Sequence, residues 1–228
     1  LWREWSRHLP ADCPPLEARC VEAASGLPFA PLVDLFSAHP CIDDLLHGPS
    51  ALPDVWLAEV ARLLPQLRAE APRLPPPAAL PPEEERRRVF EAFVQVLLAL
   101  DARPLVLFVD DVHWADRATL DWLSYLAHRL RAYPLLLVLA YRPEEAPPAL
   151  IRQVAAWGRE GVVRRVPLSR LDPAATAQLI GGLNVSPAVA HRLQARSAGN
   201  PYILLELSRQ EGDADAGELP PALAALIR

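Results

Sequence analysis

The sequence contains no methionine and no lysine. All 23 basic residues are therefore arginine, so no motif that requires lysine is present. A native start supplies an initiator methionine, so residues preceding Leu1 are expected. Long apolar runs are also missing. No window holds the roughly 18 consecutive uncharged apolar residues of a membrane span, and no basic segment leads into a short apolar one as in a signal peptide. Cysteine is scarce: Cys13, Cys20 and Cys41 are odd in number and spaced for neither a disulfide framework nor a zinc site. Small buried thiols in a reducing cytosol are the expectation. Positive charge is in deficit, with 28 acidic residues against 23 basic ones and a formal net charge of -5, which argues against a nucleic-acid surface. No Ser-His-Asp or Cys-His set stands out, and the histidine spacings suggest no metal site.

What remains is a chain of 228 residues, 51% apolar and 22% charged, enough for one globular domain or a domain with a smaller satellite. Its wealth of Ala, Arg, Leu and Pro suggests a GC-rich bacterial source. Trp2, Trp5 and Leu9 share one face of a helix tail, ended by Pro10, Pro14 and Pro15. Leu16–Val21 reads as a short strand, and Pro28–Phe36 as a loop entering a short helix. Pro49 and Pro53 punctuate a loop. Val55–Leu64 has helical spacing, and Pro65 kinks or ends that helix. The Pro-rich stretch 72–82 is an extended connector. Three glutamates and then three arginines, Glu83–Arg88, favour a helix start, followed by a core stripe through Leu100.

Leu105–Val109 is a continuous apolar run, as in a strand covered on both faces of a parallel sheet. Asp116 is placed to cap a helix running to Arg131. Leu135–Ala140 and Val162–Leu168 read as two further strands, with a helix over Leu150–Trp157 between them. The alternation predicts an α/β architecture. From Leu171 the character changes. Asp172-Pro173 and Ser186-Pro187 each place a capping residue before a helix-opening proline, and Pro201–Arg209 makes a third helix. Glu211–Glu218 reads as a loop.

The most informative stretch is Leu105–Asp116, LVLFVDDVHWAD. A buried strand ends in adjacent carboxylates, Asp110 and Asp111. Ligands of open α/β sheets bind beyond the carboxyl ends of strands. A carboxylate there can hold Mg²⁺ through water against nucleotide phosphates, and a second can position an attacking water. An Asp-Asp pair after a strand equally serves as a turn or helix cap. His113 fits a structural role better than a catalytic one, because phosphoryl transfer mainly needs positioning and charge neutralisation. Trp114 reads as core packing.

DDVHWAD, a helix, and then LLLVLAYRPEE together resemble the STAND class of P-loop NTPases within the AAA-like group. The likeness is to the ATPase module of large LuxR-type (MalT-like) transcriptional regulators. SGLPFAPLVDLF at 25–36, EEERRRVFEAF at 83–93 and SAGNPYILLEL at 197–207 fall in the order of that family. The resemblance implies a P-loop NTPase three-layer fold with a mainly parallel sheet over residues 1–168. A small helical lid and the start of a next segment would occupy 169–228. It implies Asp110 as the Mg²⁺ carboxylate and Asp111 as the acid linked to hydrolysis. Arg142 would be the sensor of the γ-phosphate, its planar fork suited to phosphate oxygens. Gly199, Asn200 and Pro201 would form the lid corner near the adenine. ATP or ADP with Mg²⁺ are the implied ligands, in the cytoplasm.

The chain departs from that family in one respect. The phosphate-binding loop G-x-x-x-x-G-K-[ST] is not in it, and without lysine it cannot be hidden. The expectation is a core lacking its first, central strand and loop, which leaves two strands without a neighbour. Such a fragment would bind ATP weakly alone and be inactive as an ATPase, unlike its full-length parent. LPPALAALIR at 219–228 resembles the start of the next helical segment. Expected partners are an upstream loop segment and downstream effector domains, with self-association open, and with no direct nucleic-acid or membrane contact. The competing reading is a non-hydrolysing protein-interaction scaffold on the same fold. A processive motor is disfavoured, as no second-subunit arginine finger stands out.

Overall fold

In a computed structural model of the chain, three segments pair side by side in parallel. The structure describes residues 2–10, 13, 15–38, 45–47, 51–100, 105–130, 133–183 and 185–212. Cys41, Pro14, Pro49 and the segment 219–228 lie outside the described residues, as does most of the expected loop over 211–218. The chain divides into two units, Pro10–Arg164 and Leu1–Leu9 with Arg165–Arg228.

The larger unit is built on β1 (Leu16–Arg19), β2 (Leu105–Asp110) and β3 (Leu135–Leu139), in the order β1-β2-β3. Register sets Leu16 against Leu107, Arg19 against Asp110, Leu107 against Leu137 and Val109 against Leu139. Side chains alternate along a strand, so Leu16, Leu105, Leu107, Val109, Leu137 and Leu139 share a face. That face meets the main core, packed by α2 (Ala30–Ala38), α5 (Pro82–Ala99), α6 (Arg117–Arg129) and α7 (Pro148–Arg159). Residues 105–109 of β2 are buried on both faces, which is why the strand reads as an unbroken apolar run. Phe93 is the hub of the aromatic packing, with Phe36 stacked at 5.8 Å and Trp122 edge-on at 6.1 Å. The buried indole N–H of Trp122 donates to the Phe90 carbonyl at 3.2 Å. Full burial of one such ring contributes about 2–3 kcal/mol.

Between β1 and β2 lie α3 (Asp54–Val60) and α4 (Pro65–Glu70). Pro65 does not merely end a helix; it opens α4 at its first position, where the missing N–H costs nothing. Residues 71–81 form neither helix nor strand, as the proline content dictates. The fourth expected strand, Val162–Leu168, is not formed. Residues 163–168 carry no strand hydrogen bonding, and Val166 and Leu168 are 72% and 73% exposed. Strand conformation needs a ladder partner for its backbone groups. Among the described residues none flanks Val162–Leu168, and β3 pairs only with β2. Leu136 on β3 is accordingly 46% exposed.

The second unit contains α1 (Trp2–Ser6), α8 (Pro173–Gly181), α9 (Pro187–Ser197) and α10 (Pro201–Gly212). Asp172 and Ser186 cap α8 and α9 by accepting from Ala175 N at 2.7 Å and Val189 N at 3.4 Å, each with proline at the first helical turn. Its small core is Ile180, Leu193 and Leu204. Among the described residues, no helix is long and apolar enough to cross a membrane.

Candidate functional site

β2 carries its chain out of the core at Asp110, and the backbone then turns sharply. Asp111 has φ 53, ψ 38, the left-handed region that Asp tolerates better than most residues. The turn is fixed from three sides. Asp111 N donates to its neighbour's carboxylate, Asp110 Oδ1, at 2.9 Å. Cys20 N donates to Asp110 O at 3.0 Å, and Val112 N to Ala140 O at 2.9 Å. The two carboxylates therefore stand where the ends of β1, β2 and β3 converge, each half-buried.

Asp111 is not solitary. Arg19, the last residue of β1, brings Nε and Nη2 to within 3.2 and 3.1 Å of its Oδ2. The sequence left this arginine unmarked; only the β1–β2 register, Arg19 against Asp110, explains the meeting. Arg142, three residues past β3, donates to Glu145 Oε1 at 2.9 Å. That hydrogen bond, and then the carboxylate's charge, hold the Arg142 pKa above its ordinary value; the Asp111 charge adds to this. Glu145 is correspondingly held below the usual carboxylate range, first by the Arg142 hydrogen bond, against the opposing effect of desolvation. Glu145 also escaped the sequence reading.

His113 is wholly enclosed and packs its ring against Trp114 at 4.5 Å. Arg142 N donates to its Nδ1 over a long 3.5 Å. Its Nε2 stands 3.2 Å from Glu145 Oε2, a close polar contact that falls short of hydrogen-bond geometry. Asp116 anchors the far side. Its Oδ1 accepts from Thr119 N at 2.9 Å and from Phe29 N at 3.2 Å, and its Oδ2 accepts from the Thr119 hydroxyl. One buried carboxylate thus caps α6 and ties down Phe29, whose φ is 60.

Asp110, Asp111 and Arg142 are thus gathered at one end of the sheet. Gly199, Asn200 and Pro201 belong to the helical unit. Gly199 has φ 75, and a Cβ there would lie 2.3 Å from the Leu171 carbonyl oxygen. Leu171 N donates back to Gly199 O at 2.8 Å. Asn200 Oδ1 caps α10, accepting from Tyr202 N at 3.0 Å and Ile203 N at 3.4 Å, and Pro201 opens that helix.

Chemically, the sheet end offers a half-buried carboxylate beside a second acid and a guanidinium. Among the described residues there is no group of three or more His, Cys, Asp or Glu able to hold a metal. Mg²⁺ does not need one: it uses one or two carboxylates and fills its octahedron with waters and phosphate oxygens. Asp110 fits that demand.

The AAA ATPase domain family matches residues 1–138, well over half the chain, and covers Asp110 and Asp111 but not Arg142 or the Gly199 corner. Neither a curated protein nor a solved structure gave a match. A parallel α/β sheet with acids at its carboxyl end and a family match of this extent lead to one conclusion: the chain belongs to the AAA ATPase domain family, a nucleotide-binding module of the P-loop NTPase type.

Proposed function

We propose that the chain is the ATP-binding switch module of a bacterial signal-transduction or transcriptional regulator of the STAND class, similar to large LuxR-type proteins. The observation that supports this best is the placement of Asp110 and Asp111 at the carboxyl end of β2, beside the end of the adjacent strand from which Arg142 emerges. In this reading Asp110 holds Mg²⁺ through water, and Asp111 orients the attacking water. Arg142 reads the γ-phosphate with its planar fork. Mg²⁺, when bound with nucleotide, supplies charge neutralisation at the phosphates. Gly199, Asn200 and Pro201 form the adenine-side corner of a helical lid within 169–228, which also holds the start of the next segment, and the core is 1–168. Nucleotide binding then acts as a conformational switch read by downstream effector domains. The setting is cytoplasmic.

These 228 residues hold no lysine and no glycine-rich phosphate loop, so the phosphates lack their backbone cradle. MgATP titrated calorimetrically into the chain should bind no tighter than the millimolar range, and micromolar affinity would overturn this account of the loop. In a longer form bearing the loop, Asp111→Asn should retain nucleotide and slow hydrolysis by about 10²-fold or more. Unchanged turnover would remove Asp111 from that role. A second reading, a non-hydrolysing scaffold, draws support from the engagement of both Asp111 and Arg142 in local ion pairs. It predicts no turnover even in the loop-bearing form.

A further inference from the structure

The carboxylate of Glu145 stands between two groups of opposite accessibility. Its Oε1 takes the hydrogen bond of Arg142, whose side chain is 59% exposed, at 2.9 Å. Its Oε2 faces Nε2 of His113, whose side chain is fully buried, at 3.2 Å. An exposed pair three residues apart is ordinarily weak, because each long side chain must surrender its freedom to form it. Here the carboxylate has a second contact on a rigid body. His113 follows the Asp110–Asp111 turn, is clamped against Trp114, and has no hydrogen bond to its Nε2. The Arg142 backbone is tied to the same ring by its N–H on Nδ1. Both edges of one imidazole therefore contact the Arg142–Glu145 turn.

We propose that Glu145, braced on His113, is the positioning residue for Arg142, holding its guanidinium in a fixed seat beside the acid pair until an anionic ligand competes for it. This rests on the reading of Arg142 as the phosphate-facing arginine. The brace links the ends of two strands: a displacement at the Asp110–Asp111 turn moves His113, and through Glu145 it moves Arg142. The expected ligand chemistry is a polyphosphate, whose oxygens offer the guanidinium the same forked acceptance as a carboxylate but with greater charge.

The test begins with the chain free of ligand. Side-chain ¹⁵N relaxation of the Arg142 Nε–H should show a restrained group in the wild type. In Glu145→Gln it should become mobile, with an order parameter below about 0.6. The decisive variant is His113→Phe, which keeps a ring against Trp114 and leaves the Arg142–Glu145 pair intact. It should also mobilise Arg142, whereas an unbraced surface pair would not respond. Amide exchange of β2 checks that each variant is folded; if His113→Phe is not, Glu145→Asp, which keeps the charge but is one methylene too short to bridge both partners, takes its place. Unchanged Arg142 mobility in the folded variants overturns the proposal and leaves the nucleotide reading standing. Separately, inorganic tripolyphosphate with Mg²⁺ should bind Glu145→Gln about two- to five-fold more tightly than wild type. Arg142→Ala should erase that gain in the double variant. Mobilised Arg142 with no tripolyphosphate response overturns the reading of Arg142 as the phosphate-facing arginine and leaves the brace itself standing.

Discussion

Removing the Asp116 carboxylate should destabilise the larger unit far more than neutralising it. Asp116 is only 5% exposed and satisfies three donors: Thr119 N, the Thr119 hydroxyl and Phe29 N. In Asp116→Ala the cap of α6 is lost, at about 1 kcal/mol. Phe29 N is left buried without an acceptor, at about 1–3 kcal/mol, and the favourable negative charge at a helix start goes with it, at about 0.5 kcal/mol. The sum is about 2.5–4.5 kcal/mol. Asp116→Asn is a different case. Both backbone donors use Oδ1, which an amide retains. The new NH₂ sits where the Thr119 hydroxyl can turn and accept. Only the charge and some hydrogen-bond strength are lost, about 1 kcal/mol. Urea unfolding followed by tryptophan fluorescence reads the two losses as midpoint shifts at constant slope. Equal midpoints for the Ala and Asn variants would show that the bonds to Phe29 and Thr119 do not carry the stability assigned to them.

Gly199→Ala meets both a left-handed backbone and the Leu171 carbonyl oxygen at 2.3 Å, so about 3 kcal/mol should be lost from the helical unit. Amide exchange in α9 and α10 should accelerate about 100-fold while β2 is unaffected; unchanged protection would refute the tight contact. Glu59, 2% exposed, faces Arg62 at 2.9 Å and Arg88 at 3.6 Å. Glu59→Ala removes the buried acceptor facing Arg88, while Arg62 keeps Glu85 and the Ala78 carbonyl, and should cost about 2 kcal/mol, read as a fall in melting temperature; a loss within about 0.5 kcal/mol would show the cluster to be inert. Burial, reinforced by the charges of Asp116, Asp111 and Asp110, pushes the Cys20 thiol up to about 12 from 9.0. The folded state therefore resists ionisation that the unfolded chain permits. Its stability is intact below about pH 9 and falls as pH rises towards 12. Cys20→Ala should flatten that alkaline decline, and an identical pH profile would contradict the thiol's burial beneath the acids.

Much of the sheet was legible because burial on both faces writes itself as unbroken apolar sequence, as in Leu105–Val109; Leu135–Leu139 is as apolar, although β3 is only partly buried and Leu136 is 46% exposed. Helix starts were legible where one residue does the capping, as at Asp116, Asp172 and Ser186. Val162–Leu168 was misread because β-propensity belongs to a segment whereas pairing belongs to its neighbours, and among the described residues no strand lies alongside. The acid pair was visible as a motif. Its partners were not, because Arg19 and Asp111 meet across 92 positions through strand register alone. Glu145 was hidden differently: it sits three residues from Arg142, but its importance comes from a buried histidine on another strand's exit. Gly199 could be seen as a helix-stop signal, whereas the close approach of Leu171 that forbids a side chain there could not.

The left-handed twist at Asp111 acts as a filter on what the position accepts. With φ 53 the main chain admits glycine freely and asparagine or aspartate at little penalty, and it rejects branched and bulky side chains whatever their chemistry. Charge can therefore be deleted at this point by exchange for asparagine without disturbing the path of the backbone. Replacement by valine or leucine would confound loss of the acid with a bent chain. Few loci in the molecule allow electrostatics and geometry to be separated so cleanly.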